Sequence, residues 1–433
     1  MPRKILTLLF VSLLPIAALA TLATFAAPAS GQTAPSETLI IHAGHLVDPS
    51  TGSVKNDQFI LIEKGLITSI SSTAPSQRVA QVIDLSKEWV TPGLMDAHTH
   101  LTMVENLNSS LEASYLAESS TYRGLRGLKN AQALLQAGFT TLREVGNEAD
   151  YATEDVRRAI QQGWFEGPTI LSAGKIIAPF GGQSRGIPAS HGPFWRFEYI
   201  DADTPDEVRK AVRQNIYYGA DLIKLVADNS PYYFSLDEIR AAVDESHRAD
   251  RAVAVHVMGG QAAQNSIDAG VDSIEHGFGL TDAQLQQMKA KGIFLVGTDF
   301  PQSWLEATAG GFIDDPSKVG PQITDRLRRA YRIGVKMAFG TDESFETPKK
   351  GRVEWMLDYL SRWKEAGVPN AEILKCMTIN AAELLRIKDQ RGSIAPGLAA
   401  DIVAMPANPL DDIEAIRKIN FVIKNGRVVR RPE

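Results

Sequence analysis

One cysteine, Cys376, is all the thiol chemistry this sequence has. No intrachain disulfide can form, no thiolate cage for a metal can be built, and a lipid-modified cysteine near the N-terminus is excluded. Cys376 lies in Ile373-Leu374-Lys375-Cys376-Met377, apolar at helical spacing, which predicts a buried core thiol rather than a nucleophile. Concentrated charge of one sign is missing too. The 45 basic and 51 acidic residues are spread along the chain, for a formal net charge of −6, so no basic stripe is available to neutralise a phosphate backbone. Nucleic acid is not an expected partner, and a small-molecule substrate is. Low-complexity tracts are absent, and past the first thirty residues no run is apolar enough to span a bilayer.

Those first residues are the compositional exception. Arg3 and Lys4 precede an uncharged Leu- and Ala-rich run from Ile5 to about Ala27, and small residues follow, which predicts a signal peptide over residues 1–30. An uncleaved anchor is the rival, since a span needs roughly 20 apolar residues; Pro15 and the Ala-rich end favour cleavage. The expectation is a periplasmic or secreted protein with no stable membrane span after cleavage.

With 44% hydrophobic and 22% charged residues, the remainder can bury a sizeable core. Short β-type runs occur at both ends, at Thr38–Ile41, Gln58–Ile62, Asp401–Met405 and Phe421–Lys424, the last before an Asn425-Gly426 turn signal. Between them, apolar runs at 90–97, 140–145, 169–172, 222–226, 252–257, 273–275, 294–297 and 336–339 alternate with segments of helical period. Eight such βα units predict an α/β fold: a (β/α)8 barrel over 92–385, with a small β-sandwich domain built from 37–91 and 386–433.

The most informative phrase is Thr91-Pro92-Gly93-Leu94-Met95-Asp96-Ala97-His98-Thr99-His100. Alternation along a strand sends His98 and His100 to the same side, so both imidazoles can reach one ion. The pair ends the first barrel strand, the end at which barrel enzymes assemble their sites. Lys224, His256, His276 and Asp342 fall at the ends of other strands. Four imidazoles and a carboxylate suit Zn2+ or a similar first-row ion, whereas calcium and magnesium want more oxygen ligands.

This set resembles the amidohydrolase superfamily, over nearly the whole stretch from Thr38 to Val429. The resemblance implies a binuclear centre held by His98, His100, Lys224, His256, His276 and Asp342, with Lys224 carboxylated to a bridging carbamate and Asp342 serving as ligand and general base. Thr141-Leu142-Arg143-Glu144-Val145-Gly146, Gly270 to Gly277 and the closing Gly392 to Val403 look most like the imidazolonepropionase-related branch that includes Xaa-Pro dipeptidases. On the residues alone, Lys224 can also be a core lysine paired with a carboxylate, and Asp342 a helix cap. The implied activity is metal-dependent hydrolysis of an amide, in a dipeptide or an N-acyl amino acid. Lactone or phosphotriester hydrolysis, heterocycle deamination and a non-catalytic binding barrel are the rivals on the same scaffold.

Substrate contacts are expected from His191, after the Gly181-Gly182 loop, and from Tyr232 and Tyr233. Gln183 and the stretch from Asp228 to Tyr233 depart from the dipeptidase pattern, which puts transfer of that specificity in doubt. Arg185 and Arg143 are carboxylate-clamp candidates, the second also suited to a structural ion pair. His42, His45 and His247 lie away from strand ends and are read as surface or packing residues. A homo-oligomer is compatible with the sequence and is not specified by it.

Overall fold

The computed structural model describes residues 38–75, 81–104, 116–146, 149–184, 187–228, 232–309 and 315–432. The expected signal at 1–30 and Arg185 lie outside them. Strands β1 (Leu39–Asp48), β2 (Ser53–Glu63), β3 (Leu66–Ser71) and β4 (Gln81–Pro92) come first. The β1–β2 turn is made by Asp48, whose carboxylate accepts from the backbone N of Ser50 at 2.8 Å and its hydroxyl at 2.6 Å, the local bonding that makes Asp a turn former.

Then follow β5 (Leu94–Thr99), β6 (Phe139–Glu144), β7 (Thr169–Ser172), β8 (Ile176–Ala178), β9 (Tyr199–Asp201), β10 (Leu222–Val226), β11 (Ala252–Gly259), β12 (Ser273–Gly279) and β13 (Phe294–Val296). The chain ends on β14 (Ile402–Met405), β15 (Phe421–Lys424) and β16 (Arg427–Arg430). Helices cover the intervals between the barrel strands. The helix Leu236–Arg248, for example, starts on a capping box in which Ser235 and Glu238 satisfy each other's backbone N–H groups.

The terminal strands form one mixed sheet in the order β16-β15-β14-β4-β1-β2-β3. The expected sandwich is therefore a single sheet that closes on itself. Ile67 N bonds Leu398 O at 2.9 Å, Gly397 N bonds Ile67 O at 2.8 Å and Ala400 N bonds Gly65 O at 2.9 Å, which ties the β3 edge back to the approach to β14. One face then shares a buried core of Leu39, Ile41, Ile60, Ile83, Ile402 and Phe421.

The barrel consists of parallel strands in two ladders, β5-β6-β7 and β13-β12-β11-β10-β8-β9. They join where Asp221 N bonds Ser172 O at 2.7 Å; the third barrel strand is broken at Gly174, whose φ is +68°, and resumes as β8 beside β10. The expected eighth strand at 336–339 is not a regular strand, yet it closes the ring. Ala338 N bonds Leu295 O at 3.1 Å on one side, while Ala97 N bonds Phe339 O at 2.8 Å and Asp342 N bonds His98 O at 2.8 Å on the other. Its Gly340 lies so close to β5 and β13 that an added Cβ would stand 2.4 Å from Val296 Cγ1 and 2.8 Å from His98 Cβ.

Alternation along β10 shows how the barrel sorts its residues. Ile223 and Leu225 face outward into a core shared with Val208, Val212 and Ile239 of the surrounding helices, which leaves Lys224 on the inner side. Among the described residues no helix is long and apolar enough to cross a membrane. Cys376 is buried, as its helical spacing predicts, and burial pushes its thiol pKa up.

Candidate metal centre

His98 sits at the end of β5 with 1% of its surface exposed. Its Nδ1 donates to Glu275 Oε2 at 2.7 Å, and Glu275 in turn accepts from Arg143 Nη2 at 2.8 Å. Burial opposes a charge on Glu275, but Arg143 and then His98 outweigh it and hold its pKa well below the ordinary glutamate value. An anion at Nδ1 fixes the proton there, so Nε2 presents a bare lone pair. Burial, and then the charge of Lys224, push the His98 pKa down to about 4, so the ring is neutral.

That lone pair points at an acceptor. Asp342 Oδ1 is 3.5 Å from His98 Nε2 and 3.0 Å from His100 Nε2. Burial raises the pKa of Asp342, yet His98 and His100 outweigh it and keep the group below the ordinary aspartate value. Burial likewise opposes a charge on His100, yet its bond to Asp342 raises its pKa: the spot attracts positive charge. Donor atoms of His98, His100 and Asp342 all lie within 4.8 Å of one another, a cluster of metal-ligand type. Two imidazole nitrogens and a carboxylate converging in a buried pocket is an arrangement that a divalent cation stabilises.

A second group adjoins the first. The rings of His256, on β11, and His276, on β12, are 4.3 Å apart, and His276 is 5.3 Å from His98. His276 Nδ1 bonds Thr298 Oγ1 at 2.7 Å and lies 3.9 Å from Asp342 Oδ2. Burial, followed by the charge of Lys224, pushes the His256 pKa down to about 3. Lys224 is itself buried to 2% exposure. Burial lowers its pKa to about 8, with Glu275 and Asp342 working against the drop, so the neutral amine is more accessible than in a free lysine.

The backbone is bent to make this convergence. His276, Thr298 and Asp342 have φ of +63°, +45° and +60°, in the left-handed region that β-branched and bulky residues avoid. In a regular strand Glu275 and His276 would point to opposite faces. The turn at His276 lets both reach the barrel interior.

Sequence reasoning missed the residues that hold these groups in place. Glu275 is one. Asp96 is another: it accepts from His98 N at 2.9 Å and from Thr341 Oγ1 at 2.7 Å, tying the β5 end to the loop that carries Asp342. Glu144 accepts from Leu101 N at 2.7 Å, and burial raises its pKa to about 8. The signal was present, because Asp96, Glu144 and Glu275 are carboxylates inside otherwise buried strands, where an acid needs a local partner. Arg143 is buried in the barrel on Glu275, Ser273 Oγ and Ala97 O, so it is the structural pair and not a clamp at the mouth.

The residues expected to contact substrate lie on the surface around the barrel loops. His191 is exposed on a 3-10 turn, with Ser190 Oγ 3.3 Å from its Nδ1 and no described contact to the histidine cluster. Tyr232 and Tyr233 are half-exposed, and the Tyr232 hydroxyl donates to Phe180 O at 3.3 Å, bridging the loops after β8 and β10. His42 stacks on Phe59 and His45 on Trp89, while His247 bonds Asp272 at 2.8 Å, packing and surface roles as expected.

A closed parallel barrel that gathers a His-His-Asp cluster at the C-terminal ends of its strands defines a class, the barrel-based metal-dependent hydrolases of carbon–nitrogen bonds. The chain belongs to the amidohydrolase family, which it matches over residues 89–429. It is 27% identical over 430 residues to ochratoxinase of Aspergillus niger, covering 91% of this chain and 87% of that protein. It is 27% identical over 382 residues to an imidazolonepropionase of Shewanella baltica, covering 79% and 84% of the two chains. A crystallised Xaa-Pro dipeptidase with methionine in its active site superposes with a TM-score of 0.81 at 30% identity, over 91% of this chain and 100% of the other.

Proposed function

We propose that this protein is an exported zinc amidohydrolase that cleaves the amide bond of a dipeptide or an N-acyl amino acid. The observation that carries the proposal is the meeting of His98 Nε2, His100 Nε2 and Asp342 Oδ1, with His256, His276 and Lys224 beside them. The donor set favours zinc, and His98, His100 and Asp342 would hold one ion. Lys224, His256 and His276 would hold a second, with Lys224 as an anionic carbamate; burial favours the neutral amine, the form that adds CO2. When bound, the ions supply Lewis acidity and lower the pKa of water to roughly 7.

The protein's own groups do the rest. Asp342 is the one carboxylate of the cluster positioned to take the proton of the attacking water and return it to the leaving nitrogen. Glu275 keeps His98 in one tautomer throughout. Exposed apolar groups at Phe180, Tyr232 and Tyr233, on the loops after β8 and β10, and at Met258, near the end of β11, favour a substrate with an apolar or aromatic portion. Similarity to ochratoxinase and a Xaa-Pro dipeptidase supports an amide substrate that releases an amino acid. Arg3, Lys4 and the apolar run after them support export.

The test is metal analysis followed by a substrate screen on the full-length protein. Two zinc equivalents per chain, release of amino acids from dipeptides or N-acyl amino acids, and loss of that activity on chelation are expected. Lys224→Ala should lose most turnover and recover part of it with added short-chain carboxylic acids. Turnover confined to lactones, organophosphates or aminated heterocycles overturns the substrate class, and a fully active Lys224→Ala removes the carbamate.

A further inference from the structure

We propose that Asp228 is a further ligand of the second ion, sharing it with His256; this rests on the two-ion reading above. Asp228 follows β10 by two residues. Val226 pairs with His256 across the β10–β11 ladder, and Ala227 N bonds His256 O at 3.0 Å, so the Asp228 side chain stands next to the His256 imidazole at the strand ends.

One oxygen of Asp228 is committed: Oδ2 accepts from Met258 N at 2.6 Å, which fixes the plane of the carboxylate. The other is not. Oδ1 is buried with no hydrogen-bond partner among the described residues, and it faces His256 Nε2, likewise buried without a partner, at 3.8 Å. That separation is too long for a hydrogen bond between them. Zinc–nitrogen and zinc–oxygen bonds are each about 2.0–2.2 Å, so two atoms sharing one ion can stand up to roughly 4 Å apart. Both atoms are shielded from solvent, so two buried polar atoms without partners face each other across a gap of the width that a shared ion spans.

The charge argument agrees. Within the second group His256 and His276 are both neutral donors, and a carboxylate there offsets part of the ion's charge whether or not Lys224 carries CO2. Asp228 also anchors the start of the loop that carries Tyr232 and Tyr233, so filling this site links metal loading to the position of the substrate rim.

The experiment is titration of chelator-stripped, full-length protein with Zn2+ in a calorimeter, wild type against Asp228→Asn, with Co2+ absorption spectra as a second readout. Asparagine keeps the acceptor for Met258 N, and Asp228→Ala repeats the measurement with no side-chain oxygen. The expected result is two binding events in the wild type. In both variants the first event should be unchanged and the second weakened by at least about 100-fold, since loss of an outer-sphere partner alone costs 10–100-fold. Cobalt bands of the second site should shift as the carboxylate leaves. Variants that bind both ions with wild-type affinity overturn the assignment of Asp228 and leave the two-ion reading standing. A wild type with a single event overturns that reading, and this assignment with it.

Discussion

Glu275 on β12 and His98 on β5, 177 residues apart in sequence, meet inside the barrel at 2.7 Å. The contact sets the proton on His98 Nδ1, turns Nε2 toward Asp342, and gives Arg143 its counter-ion. His98 and Arg143 both bond Glu275 Oε2, so a glutamine oxygen there can still accept from each, but the amide NH2 then stands where Arg143 and Ser273 donate to Oε1, and the charge opposite Arg143 is lost. Glu275→Gln should weaken metal binding by about 10–100-fold. It should also cost about 3–5 kcal/mol of stability, the usual penalty for leaving a buried cation unpaired. Metal titration and urea unfolding measure the two effects separately; wild-type values in both would show that the contact is dispensable.

Gly146 sets the place of His100. An added Cβ would stand 2.7 Å from His100 Cε1 and 2.9 Å from its Nδ1, and 2.9 Å from Ile176 Cδ1, so the ring has nowhere to retreat without leaving Asp342. Gly146→Ala should therefore fold and lose metal from the first site. Metal content after dialysis checks it, and full occupancy would mean that the loop yields instead.

Asp342→Asn keeps an oxygen toward His98 and His100 but removes the base. Metal retention of at least one equivalent is expected, with kcat lower by about 10²–10⁴, the range that general-base removal commonly costs. If turnover persists at the wild-type rate in a metal-loaded variant, another group carries the proton.

At the opposite end of the barrel, Asp401 binds Lys424 Nζ at 2.7 Å and Arg391 Nη1 at 2.6 Å, and Lys424 reaches Thr169 Oγ1 of β7 at 2.8 Å. This cluster ties the terminal sheet to the barrel. Burial lowers the Lys424 pKa to about 8 against 10.5 for a free lysine, so between those pH values the folded state binds fewer protons than the unfolded one. Stability contributed by this group therefore rises with pH across that window and is lowest below it. Unfolding free energies of wild type and Lys424→Met, compared from pH 7 to 10, should show the wild type gaining on the variant as pH increases. Parallel curves would place the lysine pKa elsewhere. Asp401→Ala, which strands the ammonium, should cost about 3–5 kcal/mol at pH 7 without altering metal content.

Much of this architecture is legible in the sequence, because period-two and period-3.6 patterns follow from the backbone geometry of single elements. The runs at 169–172, 222–226 and 294–297 mark strands that the structure shows as β7, β10 and β13, the last ending one residue earlier. The run at 336–339 is less regular than its pattern because Gly340 and the left-handed turn at Asp342 bend it toward β5. The two sheets expected at the termini become one, since whether paired strands curl back on themselves depends on contacts such as Ile67 to Leu398 that no local pattern encodes.

Within the site, ligand-type residues could be named in advance because each stands at the end of an apolar run: His98 and His100 by their spacing, and Lys224, His256, His276 and Asp342 by their places. By itself the sequence determined the barrel, the strand-end positions and the kind of atoms offered to a cation, all of which depend on residues near one another in the chain. Only the tertiary structure decided which of those atoms face each other. It set Glu275 behind His98, left Asp228 and His256 opposed without a shared proton, and moved His191 out to solvent. Those pairings join different strands of a closed ring, and the distance between two such side chains is fixed by packing and barrel closure rather than by any spacing along the polypeptide.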